Sequence, residues 1–248
     1  MKVAALYDVH GNLPALRAVL EDVERAGVDA IVVGGDVATG PLPAETTALL
    51  AALGERALFV RGNADREVVA AHREPGPTPA DPAQRAVAFA AERISDELVG
   101  FLAGFAENVV LEVDGLGPVL FCHGSPRSDS EVITTATSDR RLRAILDGVA
   151  LPLVVCGHTH RQFDRTLGDY RVVNAGSVGL PYEGRPGAFW ALLGPKVELR
   201  CTGYDIAAAA VELRAGGFAD TDELIGPSLL EPMDPDEVAA IFEGGAPA

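Results

Sequence analysis

An α/β fold is predicted by three features of the 248-residue chain. Short apolar runs alternate with segments of helical period over the first 65 residues. These runs lack polar alternation, as expected of strands buried on both faces of a parallel sheet. From Val109 onward the period changes and hairpin signals appear.

Val3 to Tyr7 reads as the first strand. Leu13, Leu16, Leu20 and Val23 then recur at helical spacing, with Pro14 tolerated in the first turn and Gly27 as the stop. Ala30 to Val33 is the second strand and ends in Gly34-Gly35-Asp36. A helix from Ala44 to Leu53 leads to a third strand, Ala57 to Val60, that ends in Gly62-Asn63. This βαβαβ order implies a parallel sheet with right-handed crossovers. Pro75, Pro77, Pro79 and Pro82 mark an exposed loop. Two amphipathic helices follow over 83–94 and 96–105; Ser95 is the N-cap of the second, which buries Leu98, Phe101, Leu102 and Phe105. Val109–Val113 and Val119–Cys122 flank Asp114-Gly115-Leu116-Gly117 as a hairpin. Leu153–Cys156 is another buried strand, and Phe163–Val173 and Ala188–Cys201 hold further strands around turns. A helix over Ala207–Arg214 precedes an acidic tail with a short helix at Pro235–Phe242.

The chain carries 20 basic and 36 acidic residues, a net charge of −16. Lys2 and Lys196 are its only lysines. This balance argues against a binder of long nucleic acids and against adsorption to anionic membranes. Cys122, Cys156 and Cys201 form no CxxC and no even framework, so a disulfide-stapled secreted domain is not expected. The apolar run after Met1-Lys2 is too short for a signal-peptide core, and no stretch reaches the roughly 18 residues of a membrane span. A cytoplasmic protein is expected.

The residues with chemistry lie at strand ends. The first strand runs into Asp8-Val9-His10-Gly11-Asn12, the second into Asp36, and the third into Gly62-Asn63-Ala64-Asp65. The later strands run into His123-Gly124-Ser125-Pro126 and Gly157-His158-Thr159-His160. Open α/β sheets bind ligands outside the carboxyl ends of their strands, so these side chains should converge on one edge. Four of the five histidines fall there; His72 reads as a solvated surface residue, and Cys122 and Cys156 as buried small hydrophobes. A mixed oxygen and imidazole set suits Mn, Fe, Zn, Ni or Co rather than Ca. Asp8, His10, Asp36, Asn63, His123, His158 and His160 are too many ligands for one tetrahedral ion, but serve two if one carboxylate bridges.

The ordered motifs DVH, GGDV, GNAD, HG and GHTH resemble those of the calcineurin-like metallophosphoesterase superfamily, and DVHGN with GNxD is most similar to its small bacterial and archaeal phosphodiesterase branch. The resemblance runs from Met1 to about Cys201. It implies a four-layer α/β/β/α sandwich of two mixed sheets flanked by helices. It implies a domain over 1–205, with 66–107 as a helical insertion near the cleft and 206–248 as a helical, acidic appendage of the same domain. It also implies that Asp8, His10 and His160 hold one divalent metal, that Asn63, His123 and His158 hold a second, and that Asp36 bridges. Manganese is the first expectation. A bridging hydroxide would attack phosphorus in a small phosphoester, with Asp36 and His123 in the catalytic set and Asp65 orienting a ligand.

Many members carry His after the GN pair, where it helps to protonate the leaving group; this chain has Ala64, which can donate nothing. General-acid help is worth about 10²–10⁴-fold, so its loss bears most on poor leaving groups. A phosphodiesterase is therefore the leading expectation. The alternatives are a phosphomonoesterase or nucleotide phosphatase, and a scaffold on the same fold with little catalysis. Asn12 is expected either to contact substrate or to cap the first helix. Arg127 is placed on substrate phosphate or at the surface, and Asn174 and Ser177 on substrate or in a turn. A homo-oligomer stays open.

Overall fold

The computed structural model describes residues 1–244; residues 245–248, the end of the expected appendage, lie outside the described residues. Two five-stranded mixed sheets form its centre. The first has the order β10-β9-β1-β2-β3, with β1 Val3–Leu6, β2 Ala30–Val33, β3 Ala57–Phe59, β9 Ala188–Leu193 and β10 Val197–Thr202. Here β1, β2 and β3 are parallel, and β9 and β10 are added antiparallel at the β1 edge. The second has the order β4-β5-β6-β8-β7, with β4 Asn108–Val113, β5 Gly117–Cys122, β6 Leu153–Cys156, β7 Phe163–Leu167 and β8 Tyr170–Asn174. Its three central strands are parallel, and its two edge strands are antiparallel.

Side-chain alternation along β1 sorts the layers. Val3, Ala5 and Tyr7 point between the sheets, where they join Val119, Phe121, Val155 and Val173 of the second sheet. Ala4 and Leu6 point outward into a cluster with helices α1 (Leu13–Ala26), α3 (Asn63–Arg73), α4 (Pro82–Arg93) and α5 (Asp96–Ala103). On the far side, α6 (Asp139–Leu146) packs Leu142, Ile145 and Leu146 onto Val154, Cys156 and Val172. The result is the expected four-layer sandwich. Tyr7 is fully buried between the sheets, and its hydroxyl donates to the Val155 carbonyl at 3.1 Å, satisfying the one polar atom it carries inside.

Helix α2 (Pro43–Ala51) follows the loop after β2. After β10, α7 (Ile206–Ala215) and α8 (Thr221–Ile225) pack Leu213 and Ile225 against Leu13 and Leu42. Helix α9 (Pro235–Phe242) crosses to the other sheet: Arg161 Nη1 donates to the Pro235 carbonyl at 3.0 Å and to Asp236 Oδ1 at 2.7 Å.

Helices α3 and α6 go beyond the sequence expectation. Helix α3 follows directly on the strand-end motif, whose Gly-Asn reads locally as a turn. Helix α6 is only eight residues long and is capped by Ser138 Oγ, which accepts from Arg141 N at 3.3 Å. His72 also departs from its expectation as a solvated residue. Its Nδ1 lies 2.8 Å from the Ala91 carbonyl and its Nε2 2.9 Å from Asp96 Oδ1, so it ties α3 to α4 and α5.

Candidate metal centre

The carboxyl ends of the parallel strands of both sheets meet at one place. Five residues there hold the left-handed backbone conformation: Asp8 (φ 53°), His10 (φ 47°), Asp36 (φ 53°), His158 (φ 67°) and His160 (φ 57°). Among the described residues, no other non-glycine residue has positive φ. This conformation costs an L-residue about 1–2 kcal/mol, less for Asp and His, and persists where the surroundings impose it. Each bend turns a side chain off the strand end toward the cleft.

Two triads result, Asp8 with His10 and His160, and Asp36 with His123 and His158; within each, one ligand-type atom per residue lies within 4.8 Å of the others. Oxygen acceptors outside the cluster set the aim of the imidazoles. His160 Nδ1 contacts the Leu180 carbonyl at 2.7 Å, His123 Nδ1 the Gly34 carbonyl at 2.8 Å, and His10 Nδ1 the Thr39 hydroxyl at 2.8 Å. All three rings therefore present Nε2 inward, the arrangement that fixes the tautomer of a metal-binding histidine.

The carboxylates divide their oxygens in the same way. Asp8 Oδ2 accepts from His158 N at 2.8 Å, and Asp36 Oδ1 accepts from Ala64 N at 2.8 Å. Their other oxygens face the imidazoles. Asp8 Oδ1 lies 3.5 Å from His160 Nε2 and 3.8 Å from His123 Nε2. Asp36 Oδ2 lies 3.3 Å from His123 Nε2 and 3.8 Å from His10 Nε2, so it stands between the two triads. Two ligands bound about 2.1 Å from one ion sit roughly 3.0–3.4 Å apart, close to these spacings.

Asp8 Oδ1, Asn63 Oδ1 and His123 Nε2 are buried without a hydrogen-bond partner. Two of these atoms belong to the triads and the third is on the residue before Ala64, whose N–H holds Asp36; unpartnered buried polar atoms of this kind fit a cation as their missing partner. The titration behaviour agrees with that fit. Burial opposes charge on Asp8, but His160 and His123 draw its pKa below the usual carboxylate value. Burial likewise opposes charge on Asp36, and His123 and His10 draw it down. Burial opposes charge on His123 too, yet the Asp36 and Asp8 carboxylates raise it to about 10. The two carboxylates thus hold positive charge beside them. Burial, and then the His160 ring beside His10 and the His123 ring beside His158, pull these two imidazoles down to about 4.

Asp65 does not face the cluster as a ligand. Its Oδ2 accepts from Asp36 N at 2.8 Å and from Gly62 N at 3.0 Å, and its Oδ1 accepts from Val37 N at 2.9 Å. It braces the loop that carries Asp36 against the start of α3. Burial and the Asp36 charge push Asp65 up to about 7, against the pull of the Val37 and Gly62 N–H groups. Gly62 is required for this close approach: a Cβ there would stand 2.1 Å from Asp36 Oδ1.

Asn12, Asn174, Ser177 and Arg127, each expected either on substrate or in a structural role, make the following contacts. Asn12 caps α1, accepting from Ala15 N at 3.1 Å, and donates to the Gly179 carbonyl at 2.9 Å. Asn174 donates to the Gly157 carbonyl at 2.7 Å and accepts from Gly176 N at 2.9 Å. Ser177 donates to the Asp8 carbonyl at 2.7 Å and accepts from Leu180 N at 2.8 Å. All three are buried, and these bonds hold the loops that carry the ligand-type residues. Arg127 forks onto Glu131 at 2.8 and 2.6 Å and donates to the Ala144 carbonyl at 2.9 Å, so it clamps its own loop.

Sequence reasoning missed several neighbours of the cluster. Tyr182 stacks on His160, with ring centroids 5.3 Å apart, and Phe242 of α9 stands 6.3 Å from both His158 and Tyr182. Glu243 holds this end of α9, accepting from Thr134 Oγ1 at 2.8 Å, Arg141 Nη1 at 2.6 Å and the Thr137 hydroxyl. Nothing local marks Tyr182 or Phe242, since each meets the cluster only through the fold.

Comparison with known proteins agrees with this geometry. Residues 1–193 match the Calcineurin-like phosphoesterase superfamily domain. Over 77 residues the chain is 35% identical to Phosphodiesterase YfcE of Escherichia coli (strain K12). That match covers 27% of this chain and 42% of the relative, so the chain spans less than half the length of the curated relatives it matches. Among solved structures, the metallophosphoesterase from Sphaerobacter thermophilus superposes with a TM-score of 0.70 at 25% identity, covering 91% of this chain and 98% of that one. The hypothetical protein PH1004 from Pyrococcus horikoshii OT3 shares the fold with a TM-score of 0.79 at 21% identity, covering 91% of this chain and 96% of that one. With the family match running from β1 through β9 and the two Asp/His triads inside it, the chain belongs to the calcineurin-like phosphoesterase superfamily.

Proposed function

We propose that the protein is a binuclear metal-dependent phosphoesterase that acts on phosphodiesters. The observation that carries this reading is the convergence of Asp8, His10, His160, Asp36, His123 and His158 into two triads, with buried, unpartnered acceptor oxygens on Asp8 and Asn63. Asp8, His10 and His160 would hold one divalent ion, His123, His158 and Asn63 the other, and Asp36 would serve both. When bound, two such ions supply Lewis-acid charge to the phosphoryl oxygens and lower the pKa of an attacking water. Manganese is the first candidate, because the set is oxygen- and imidazole-rich and holds no thiolate.

The chain's own residues supply orientation. The Gly34 and Leu180 carbonyls and Thr39 fix the rings, while Asp65 and Ser177 fix the loops that carry Asp36 and Asp8. Ala64 uses its backbone N–H to hold Asp36 Oδ1 and has no side-chain proton to give a leaving group. That supports a preference for esters with good leaving groups, and the partial match to a phosphodiesterase supports diesters over monoesters. The described residues contain no helix long and apolar enough to cross a membrane, and the free cysteines support a cytoplasmic setting.

The test is hydrolysis of a bis-aryl phosphodiester by purified protein with Mn²⁺, Ni²⁺, Co²⁺ or Zn²⁺, with Asp36→Asn as control. Metal-dependent turnover that the control loses is expected. No turnover with any of the four ions overturns the reading in favour of a scaffold. Faster turnover of the matching aryl monoester reassigns the protein as a phosphomonoesterase.

A further inference from the structure

A cavity of about 340 Å³ opens beside His123; its charged wall residues are Arg61, Arg66 and Arg127 together with Glu107 and Asp129. Its volume falls at the low end of small-ligand pockets, which run about 300–1,000 Å³. His123 belongs to the second triad, so the cavity borders the candidate metal centre at that ring. Three guanidinium groups in one cavity stand out in a chain with 20 basic against 36 acidic residues.

The three arginines are not equivalent. Arg127 spends its fork and its remaining terminal nitrogen on Glu131 and the Ala144 carbonyl. Arg66 forks onto Asp129 through Nε and Nη2 at 2.8 and 3.1 Å, which leaves Nη1 without a partner. Arg61 reaches only Glu107, through Nη2 at 3.0 Å, and the Glu107 side chain is 78% exposed. Its Nε is buried away from solvent without a partner, and its Nη1 makes no hydrogen bond among the described residues. A guanidinium N–H without an acceptor can take one from a ligand or an ordered water. A phosphate group is tetrahedral, and two of its anionic oxygens can accept a bidentate pair from a planar guanidinium.

We infer that this cavity binds a second phosphate of the substrate, through Arg61 and the free edge of Arg66, while the scissile phosphoester lies at the metal centre. The substrate class is then a phosphoester that carries a further, uncleaved phosphate group. The inference rests on the phosphoesterase reading, which it narrows.

A matched pair of probes tests it: thymidine 5′-(4-nitrophenyl phosphate) and the same ester bearing a 3′-phosphate. With the full chain and Mn²⁺, kcat/KM is expected to be at least tenfold higher for the phosphorylated ester. Arg61→Gln and Arg66→Gln are each expected to bring that ratio toward one, with unfolding midpoints that show the variants are folded. Calorimetric titration gives a reading without turnover: thymidine 3′,5′-bisphosphate should bind at least tenfold more tightly than thymidine 5′-monophosphate, and Arg61→Gln should remove the difference. Equal kcat/KM and equal affinity within each pair overturn the inference and leave the phosphoesterase reading intact. A preference that survives both substitutions overturns it as well. If neither ester turns over, the phosphoesterase reading fails, and the binding ratio alone decides whether the cavity takes a phosphate.

Discussion

Asp65→Asn is expected to loosen the candidate metal centre although Asp65 is not among its proposed ligands. The native carboxylate accepts three backbone N–H bonds, from Asp36, Val37 and Gly62, at 2.8, 2.9 and 3.0 Å. Asparagine offers one acceptor oxygen and one donor group. If its oxygen takes the Oδ2 position, the Asp36 and Gly62 bonds survive in neutral form and the Val37 N–H faces an amide donor. If it takes the Oδ1 position, two bonds are lost. A hydrogen bond to a charged group is worth about 1.5–3 kcal/mol, and a buried donor left unpaired costs a similar amount. Relief of repulsion from Asp36 offsets part of this, because that charge helps push Asp65 up to about 7. The net loss is about 2 kcal/mol, which for a chain of this size lowers the unfolding midpoint by roughly 4–8 °C. Thermal unfolding in the presence of chelator at pH 8 measures it, and a Mn²⁺ titration should show at least tenfold weaker binding because the Asp36 loop is released. A variant that melts within a degree of the parent and binds Mn²⁺ equally well would refute the bracing role.

Four further outcomes are expected. Gly62→Ala places a Cβ against Asp36 and should weaken Mn²⁺ binding by at least tenfold, measured by calorimetry. Saturating Mn²⁺ should raise the unfolding midpoint over the chelated protein, because a ligand at about 1,000 times its dissociation constant adds about 4 kcal/mol; Asp8→Asn should abolish most of that gain. The bonds of His72 to the Ala91 carbonyl and to Asp96 raise its pKa above 6.5, so its protonated form stabilises the fold below that pH and the contribution fades as pH rises through the folded value. The urea midpoint of His72→Gln should therefore lie further below the parent at pH 5.5 than at pH 8.5. Glu243→Gln removes charge from the bonds that hold the end of α9, so amide exchange in α9 should quicken by about tenfold while β1 and β6 keep their protection.

The candidate ligand set is legible in the sequence because each of its residues sits within a few positions of the end of an apolar run, flanked by the glycines that a sharp turn and a close approach require. Asp8, Asp36, Asn63, His123 and His158 carry that local signature, and the strands that present them are short, continuous apolar runs. Helices α3 and α6 were less legible, since one begins inside a motif that reads as a turn and the other spans only two turns. What sequence could not assign is the use of polar atoms whose partners lie far along the chain. Asn12 reaches Gly179, Ser177 reaches Asp8, and His123 reaches Gly34, at separations of 167, 169 and 89 residues. The same holds for Tyr182, Phe242 and the free edge of Arg66. Strand identity and turn chemistry follow from neighbours in the chain. Which donor meets which acceptor follows from how two sheets and a returning C-terminal helix pack, and that depends on contacts no local pattern encodes.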